Sequence, residues 1–114
     1  DLKTAEPDDP DLAYTYSNLG SAFDLKGEYG KAIAFYEKSL AIELQALGPL
    51  HRNVAYTYSN LGSAHGLNGD HRQAAACFQK ALSIATQKFG SKHSFTREVT
   101  KNLANAKRKA GLTP

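Results

Sequence analysis

The chain has 114 residues, of which 41% are hydrophobic and 22% are charged, and its formal net charge is +3. These values are typical of one ordinary soluble globular domain, and so small a positive charge gives no indication of nucleic-acid binding. No run of about 18 apolar residues occurs, so no membrane-spanning helix is expected. The lone Cys77 excludes an internal disulfide framework and is typical of a reducing compartment, which favours a cytoplasmic location.

The chain repeats itself with a period of 42 residues. Residues 14–22 read YTYSNLGSA, and residues 56–64 read YTYSNLGSA again. Aligning residues 13–54 on residues 55–96 gives about 20 identities in 42 positions, a self-similarity that is typical of repeat architectures. We therefore expect one supersecondary unit stacked on copies of itself, an arrangement that usually presents an extended surface to a partner.

Each repeat is predicted to begin with a helix of a first type, A. Asp11 is the expected N-cap of helix A1, and Asn53 is the expected N-cap of helix A2. Apolar residues follow at helical spacing and predict a buried stripe, which in A1 is Leu12, Tyr16, Leu19 and Phe23. Gly27 and Gly69 are expected to end these helices, because Gly accepts the left-handed conformation just beyond a helix end.

A helix of a second type, B, follows in each repeat. Helix B1 is predicted from about Tyr29 to Leu47 and ends at Gly48-Pro49, because Pro cannot donate the next helical hydrogen bond. Helix B2 follows the same course and ends at Gly90. A third A helix, A3, is expected from near His93 to Ala110. The predicted fold is therefore all-α, with five helices in the order A1, B1, A2, B2, A3.

The residues at the helix contacts resemble the tetratricopeptide signature, in which a large residue, Leu, a small residue and an aromatic precede Ala and a second aromatic. The first repeat supplies Tyr16, Leu19, Gly20, Phe23, Ala32 and Tyr36, and the second supplies Tyr58, Leu61, Gly62, His65, Ala74 and Phe78. Gly20 and Gly62 are expected where helix A approaches helix B closely, with Ala32 and Ala74 as the small residues on the facing helix.

The segment between the repeats, LGPLHRNVA at residues 47–55, resembles the linker of the kinesin light chain subclass, which has 42-residue repeats. The resemblance implies a right-handed α-solenoid of helix-turn-helix repeats whose A helices line the concave face. We expect repeat one at about 11–50, repeat two at about 53–92, and a half-repeat or capping helix at about 93–111. The ending Gly111-Leu112-Thr113-Pro114 is similar to a turn cut short, so a fragment of a longer array is expected.

Three asparagines recur at the 42-residue period, and they are the first candidates for function. Asn18, Asn60 and Asn102 are expected to form a row along the groove, although helix propensity gives no reason for Asn at these positions. An amide offers both donors and an acceptor, which suits the repeating N–H and C=O groups of an extended peptide. Arrays similar to this one hold cargo peptides with an Asn ladder at this position. Bonds from these asparagines to neighbouring helices, or simple repeat copying, are the alternative.

Selectivity for a peptide is expected from the residues beside this row, which are Tyr14, Ser17, Ser21, Tyr56, Ser59, Ser63, Lys101 and Asn105. The tyrosines offer flat apolar area, Leu25 and Leu67 offer shallow pockets, and Lys101 and Lys109 add positive charge. This combination suits a partly acidic peptide with an aromatic or leucine anchor. The alternative is that the tyrosines pack onto the preceding helix. A carboxylate clamp is disfavoured, because Tyr14, Ser17 and Ser21 stand where A1 would need basic residues.

The sequence does not support an enzyme. His51 and His93 lie 42 residues apart at identical linker positions, so they are expected to cap or anchor the turn. His65 and His71 would need further ligands for zinc, and no nucleophile–base constellation or glycine-rich phosphate loop occurs. No metal and no cofactor is therefore expected, and Cys77 is interpreted as a small apolar filler.

Self-association is the alternative function. The charged residues among residues 1–11 are mostly acidic, and those among residues 88–109 are mostly basic, which would favour head-to-tail contact between copies. No B helix follows A3 in this sequence, so Val99, Leu103 and Ala106 are expected to lie uncovered and to invite stacking or swapping.

Overall fold

Five helices make up the fold, which was obtained as a computed structural model that describes residues 9–112. They are α1 (Pro10–Leu25), α2 (Tyr29–Leu47), α3 (Arg52–Leu67), α4 (His71–Phe89) and α5 (Ser94–Lys109). Their order confirms the predicted A1, B1, A2, B2, A3. The extensive contacts join each helix to its neighbours in sequence, from α1 with α2 through α4 with α5, and the Cα extents are 52 × 31 × 19 Å. Within residues 9–112, no helix is both long and apolar enough to cross a membrane.

The odd-numbered helices begin at side-chain caps from the linkers. Asp9 is the N-cap of α1, and its Oδ1 accepts a hydrogen bond from the backbone N–H of Asp11 at 2.9 Å. His51 and His93 are the N-caps of α3 and α5, each accepting a backbone N–H bond at Nδ1. The expectation that the linker histidines cap the turns is confirmed. The expectation that Asp11 and Asn53 are the caps is wrong, because these residues lie in the first turn and donate to the caps.

Some glycines were predicted to end helices and others to lie where two helices approach closely, and the structure shows both roles. Gly27 and Gly69 have φ values of 79° and 89°, in the left-handed region that follows a helix end. A Cβ atom at Gly20 would lie 2.7 Å from Cε1 of Tyr36, and one at Gly62 would lie 2.8 Å from Cε1 of Phe78. The close approach of A to B helices at these glycines is therefore confirmed.

The uncovered apolar face lies on α1 rather than on α5. Val99, Leu103 and Ala106 are buried against α4, so the expectation that they lie uncovered is wrong. Their stripe of α5 faces the preceding helix, and the exposed side of α5 carries Arg97, Lys101, Ala104 and Arg108.

In α1 the corresponding stripe has no preceding helix among residues 9–112. Leu19 is therefore 39% exposed, whereas its repeat equivalent Leu61 is 3% exposed against α2. The expectation that Leu12, Tyr16, Leu19 and Phe23 form a buried stripe is wrong, because none of these four residues is buried. Leu19 is exposed, while Tyr16 and Phe23 are half-buried and pack on Phe35.

Residues 1–8, which hold most of the predicted acidic start, and residues 113–114 lie outside the described part.

Candidate functional site

The candidate site is the surface formed by α1, α3 and α5, which carries the three repeat asparagines and is called the inner face below. Two cavities of about 280 Å³ each open on it. The α1–α3 cavity is lined by Pro10, Tyr14, Ser17, Glu43, Leu47, Asn53, Tyr56, Thr57 and Asn60. The α3–α5 cavity is lined by Gly62, Ser63, Gly66, Leu67, His71, Ala74, Phe78, Asn102, Asn105, Ala106 and Lys109.

Two of the three repeat asparagines line these cavities. Asn60 lines the α1–α3 cavity, Asn102 lines the α3–α5 cavity, and Asn18 is exposed on α1. Their side chains take part in none of the hydrogen bonds found among residues 9–112. Two of the three side-chain amides thus line cavities without a hydrogen-bond partner among the described residues.

The serines of the inner face differ between the repeats. Ser17 Oγ lies 2.6 Å from Ser39 Oγ, whose hydroxyl donates to the carbonyl oxygen of Ala13, and Ser21 Oγ lies 3.1 Å from the hydroxyl of Tyr36. The second repeat has Ala81 and Phe78 at the positions of Ser39 and Tyr36. The hydroxyls of Ser59 and Ser63 therefore lack those partners, and Ser63 is exposed at the wall of the α3–α5 cavity. The first pair of serines holds α1 to α2, whereas the side chains of the second pair take part in none of the hydrogen bonds found among residues 9–112.

The two tyrosines of the inner face also differ. Tyr14 is 69% exposed, while Tyr56 packs against Phe95 at 4.8 Å and Phe89 at 6.0 Å between ring centroids. Leu47 and Asn53 stand in the first repeat where Phe89 and Phe95 stand in the second. The space beside Tyr14 is consequently open at the α1–α3 cavity, whereas two aromatic rings fill the equivalent space beside Tyr56.

The basic residues of α5 are divided between the cavity and the outer surface. Lys109 lines the α3–α5 cavity together with His71, whereas Lys101 is exposed and lines neither cavity. Asn105 lies at the cavity wall, and its Oδ1 accepts a hydrogen bond from Nη2 of Arg108 at 2.6 Å. The sequence pointed to Lys109 as a source of positive charge but gave His71 no part in this surface, and the packing of α4 against α3 and α5 brings His71 to the same cavity.

Sequence reasoning missed a buried carboxylate at the α1–α3 cavity. Glu43 is 8% exposed, and the hydroxyl of Thr57 donates a hydrogen bond to its Oε1 at 2.6 Å. Burial raises the pKa of Glu43 above its ordinary value, and the hydrogen bond from Thr57 opposes that rise. The sequence did contain a signal for this carboxylate, because the two repeats differ at this contact. Ala85 and Val99 stand 42 residues after Glu43 and Thr57.

Two observations concern metal ligands and the cysteine thiol. Residues 9–112 contain no group of three or more His, Cys, Asp or Glu side chains that could hold a metal ion. Cys77 is buried, and burial raises the pKa of its thiol to about 11, so little of it is the reactive thiolate at neutral pH.

Comparison with known proteins identifies the repeat. The profile described as Tetratricopeptide repeat matches residues 11–87 and 53–113. No curated protein sequence matches the chain significantly.

Among solved structures, the nearly identical TPR-like repeats of a protein assigned as a kinesin light chain in Podosopora anserina superpose with a TM-score of 0.89 at 22% identity, over 97% of this chain and 53% of theirs. BtubC (BKLC) from P. vanneervenii gives a TM-score of 0.87 at 20% identity, over 97% of this chain and 44% of that one. A glutamine-to-methionine variant of the Podosopora repeats gives 0.79 at 22% identity, over 96% of this chain and 52% of that one.

The chain spans about half the length of these structures, and identities this low establish likeness of fold alone. Tetratricopeptide repeats are a family of non-catalytic modules that generally mediate interactions between proteins. The matched profile covers nearly the whole chain, and the chain therefore belongs to the tetratricopeptide repeat family, with a fold of the kinesin light chain-like kind.

Proposed function

We propose that this protein holds an extended peptide segment of a partner protein across its inner face, as an adaptor or scaffold located in the cytoplasm. The observation that carries the proposal is the position of Asn60 and Asn102, each of which lines a cavity between consecutive odd-numbered helices and has a side chain that takes part in none of the hydrogen bonds found among residues 9–112. An amide there can bond the peptide backbone while the neighbouring side chain of the peptide enters the cavity.

The two cavities favour different side chains. The α3–α5 cavity has an apolar floor that includes Phe78 and Ala106, with Lys109 and Asn102 at its wall. That lining suits an acidic side chain or an apolar anchor such as an aromatic or leucine residue, in agreement with the expected partly acidic peptide. A single segment of this size would bind with a Kd of about 1 μM, which corresponds to about 8 kcal/mol.

The proposal is tested with a peptide display library and the Asn60→Ala and Asn102→Ala variants. A backbone contact through a neutral hydrogen bond stabilises a complex by about 0.5–1.5 kcal/mol, so each variant is expected to weaken every selected peptide by about two- to tenfold. Gln79→Ala is the matched control, because it removes a similar amide from the exposed surface of α4. Unchanged affinities in both Asn variants would refute binding at the inner face.

Charge reversal separates recognition of side chains from recognition of the backbone. Lys109→Glu is expected to change which peptides are enriched, with acidic residues lost from the selected set, because Lys109 lines the α3–α5 cavity. Lys101→Glu changes the charge of α5 by the same amount outside both cavities and serves as its control. Equal effects of the two substitutions would assign the acidic preference to the general charge of α5 rather than to the cavity.

Self-association is a second candidate, and the exposed stripe of α1 favours it. Leu19 and Ala22 are exposed there, whereas Leu61 and Ala64 at the equivalent positions are buried against α2. Sedimentation equilibrium of the native protein and of Leu19→Ser tests this candidate, with Leu25→Ser as the control for loss of an exposed leucine. Association that survives Leu19→Ser would exclude this surface.

A further inference from the structure

We infer that the α1–α3 cavity binds the guanidinium group of an arginine side chain, with Glu43 as its carboxylate partner and the rings of Tyr14 and Tyr56 at its walls. The inference rests on the proposed function, because the arginine would belong to the peptide segment held on the inner face. It adds a cationic position to a peptide whose expected character was partly acidic.

The fold of this repeat does not require a carboxylate at the position of Glu43. The second repeat has the same helix contact, and there Ala85 and Val99 occupy the positions of Glu43 and Thr57 and are both fully buried. An ionised carboxylate in a buried place is unfavourable unless it is paired, so its presence in one repeat only indicates a role other than packing.

One oxygen of Glu43 is left for a ligand. Thr57 donates to Oε1, and no other hydrogen bond to this carboxylate comes from residues 9–112. In that part of the chain, every fully enclosed side-chain nitrogen or oxygen atom has a hydrogen-bond partner. Judged from residues 9–112, the remaining oxygen is therefore not fully enclosed, and Glu43 lines the α1–α3 cavity, so a group that enters the cavity can approach it.

None of the described residues that line this cavity is a lysine or an arginine. The ion pair found among residues 9–112 joins Lys31 to Glu28, and the lysines that lie over aromatic rings lie over Phe23, Tyr16, Phe35 and Tyr58 rather than over Tyr14 or Tyr56. Folding already removes water from Glu43. A cation that enters the cavity therefore meets a carboxylate that is already in position, and the main cost of binding is the loss of water from the cation itself.

The shape and lining of the cavity favour arginine over lysine. Its volume of about 280 Å³ is below the range of small-molecule sites, about 300–1,000 Å³, and fits a single long side chain. Guanidinium is planar, is more weakly hydrated than ammonium, and stacks on aromatic rings while it donates to a carboxylate. Tyr14 and Tyr56 both line the cavity, where Tyr14 is exposed and Tyr56 packs edge-on against Phe95.

The two cavities of the inner face then carry opposite charge. Glu43 lines the cavity between α1 and α3, and Lys109 lines the cavity between α3 and α5. A bound segment would present its arginine to the first cavity and its acidic or apolar residue to the second, which fixes the direction of the peptide along the array.

The test is a titration followed by two-dimensional amide NMR with N-acetyl-L-arginine methylamide as the probe. Its citrulline analogue, which has nearly the same shape and no charge, is the control. Arginine is expected to shift the amides of Thr57 and Asn60, with an affinity at least about tenfold above that of citrulline. Glu43→Gln keeps an acceptor for Thr57 and removes the charge, and it is expected to abolish this difference. Glu37→Gln, at an exposed carboxylate of the same helix, is expected to preserve it.

A second variant keeps the test valid if Glu43→Gln perturbs folding. The pair Glu43→Ala/Thr57→Val copies the residues that the second repeat already carries at this contact, and it too is expected to lose the arginine preference. Equal shifts from arginine and citrulline, no shift at Thr57, or an arginine preference that persists in both variants would each overturn the inference.

Failure of this inference is distinguishable from failure of the proposed function. Peptides that are enriched by the native domain and weakened by Asn102→Ala, but show no arginine preference, would overturn the arginine cavity alone. Specific arginine binding without any enriched peptide would overturn the peptide groove and leave the cavity as a site for a cationic side chain from another source.

Discussion

Replacing Gly62 with alanine separates the packing of α3 against α4 from helix propensity. Alanine is favoured over glycine in a helix interior by about 1 kcal/mol, so propensity alone would stabilise the protein. A Cβ at Gly62, however, would lie 2.8 Å from Cε1 of Phe78 and 2.9 Å from its Cδ1 and Cζ. These are three atoms of one rigid ring, and that ring is buried in a core cluster with Val99 and Leu103.

The ring of Phe78 can relieve these contacts only by moving the residues behind it. Overpacking of a closed core costs about 1–3 kcal/mol, which exceeds the gain in propensity. Gly62→Ala is therefore expected to lower the free energy of unfolding by up to about 2 kcal/mol, or the melting temperature by about 4–8 °C for each kcal/mol.

Gly66 provides the matched control within the same helix. A Cβ at Gly66 would meet the Cβ of Ala74 at 3.7 Å, an ordinary van der Waals contact, so Gly66→Ala is expected to be neutral or stabilising by up to about 1 kcal/mol. Urea unfolding followed by circular dichroism at 222 nm measures both variants. If Gly62→Ala were as stable as Gly66→Ala, the reasoning that glycine is present for the close approach of the helices would be refuted.

The remaining predictions concern the first repeat. Glu43→Ala leaves the buried hydroxyl of Thr57 without its partner, and Thr57→Val leaves the carboxylate without its donor, so each single change is expected to destabilise by about 1–3 kcal/mol. The double variant is expected to be nearly neutral in urea unfolding, and additive losses would contradict this. The pKa of Glu43 is raised by burial above its ordinary value of 4.5, so its contribution to stability is present below that value and is lost as pH rises through the folded-state pKa. Unfolding of Glu43→Gln and native protein across pH 3–8 is therefore expected to show an advantage of the variant that grows with pH, and a constant difference would be inconsistent with the raised pKa. Leu61→Ala is expected to cost about 2–5 kcal/mol, whereas Leu19→Ala, at the equivalent exposed position, is expected to cost under about 1 kcal/mol, and equal losses of melting temperature would show that α1 is covered in solution.

Signals that lie within one helix or one turn were readable from the sequence. The bounds of α2, Tyr29–Leu47, match the prediction because Gly27 and Gly48 interrupt the chain on either side of a helical pattern. The close approaches at Gly20 and Gly62 were readable because glycine recurs at the same position of both repeats, and these glycines meet the rings of Tyr36 and Phe78 on the partner helices. The predicted N-caps, Asp11 and Asn53, lie two residues after the observed ones. Asp and Asn are favoured capping residues, but the residues two positions before them make the caps in the structure.

Signals that depend on a second helix were not readable in the same way. Ser17 and Ser59 have the same neighbours in sequence, yet only Ser17 meets a serine on the facing helix. Glu43 reads as one charged residue on an amphipathic helix, and its burial becomes evident only when Thr57 of the next helix is packed against it. The candidate asparagines came from periodicity, but the cavities at which Asn60 and Asn102 lie are products of the spacing between odd-numbered helices.

The nonapeptide YTYSNLGSA, present at residues 14–22 and again at 56–64, separates the two kinds of information. By itself it determines a helix, the side of that helix that packs on the following one, and the glycine at which the two approach. Only the tertiary structure decides that Leu61 and Ala64 are buried while Leu19 and Ala22 are exposed, because α2 covers α3 and no described helix precedes α1. Local conformation follows from the residues of one segment, whereas burial, hydrogen-bond partners and cavities follow from the surface that the neighbouring helix presents, and a repeated sequence cannot specify that neighbour.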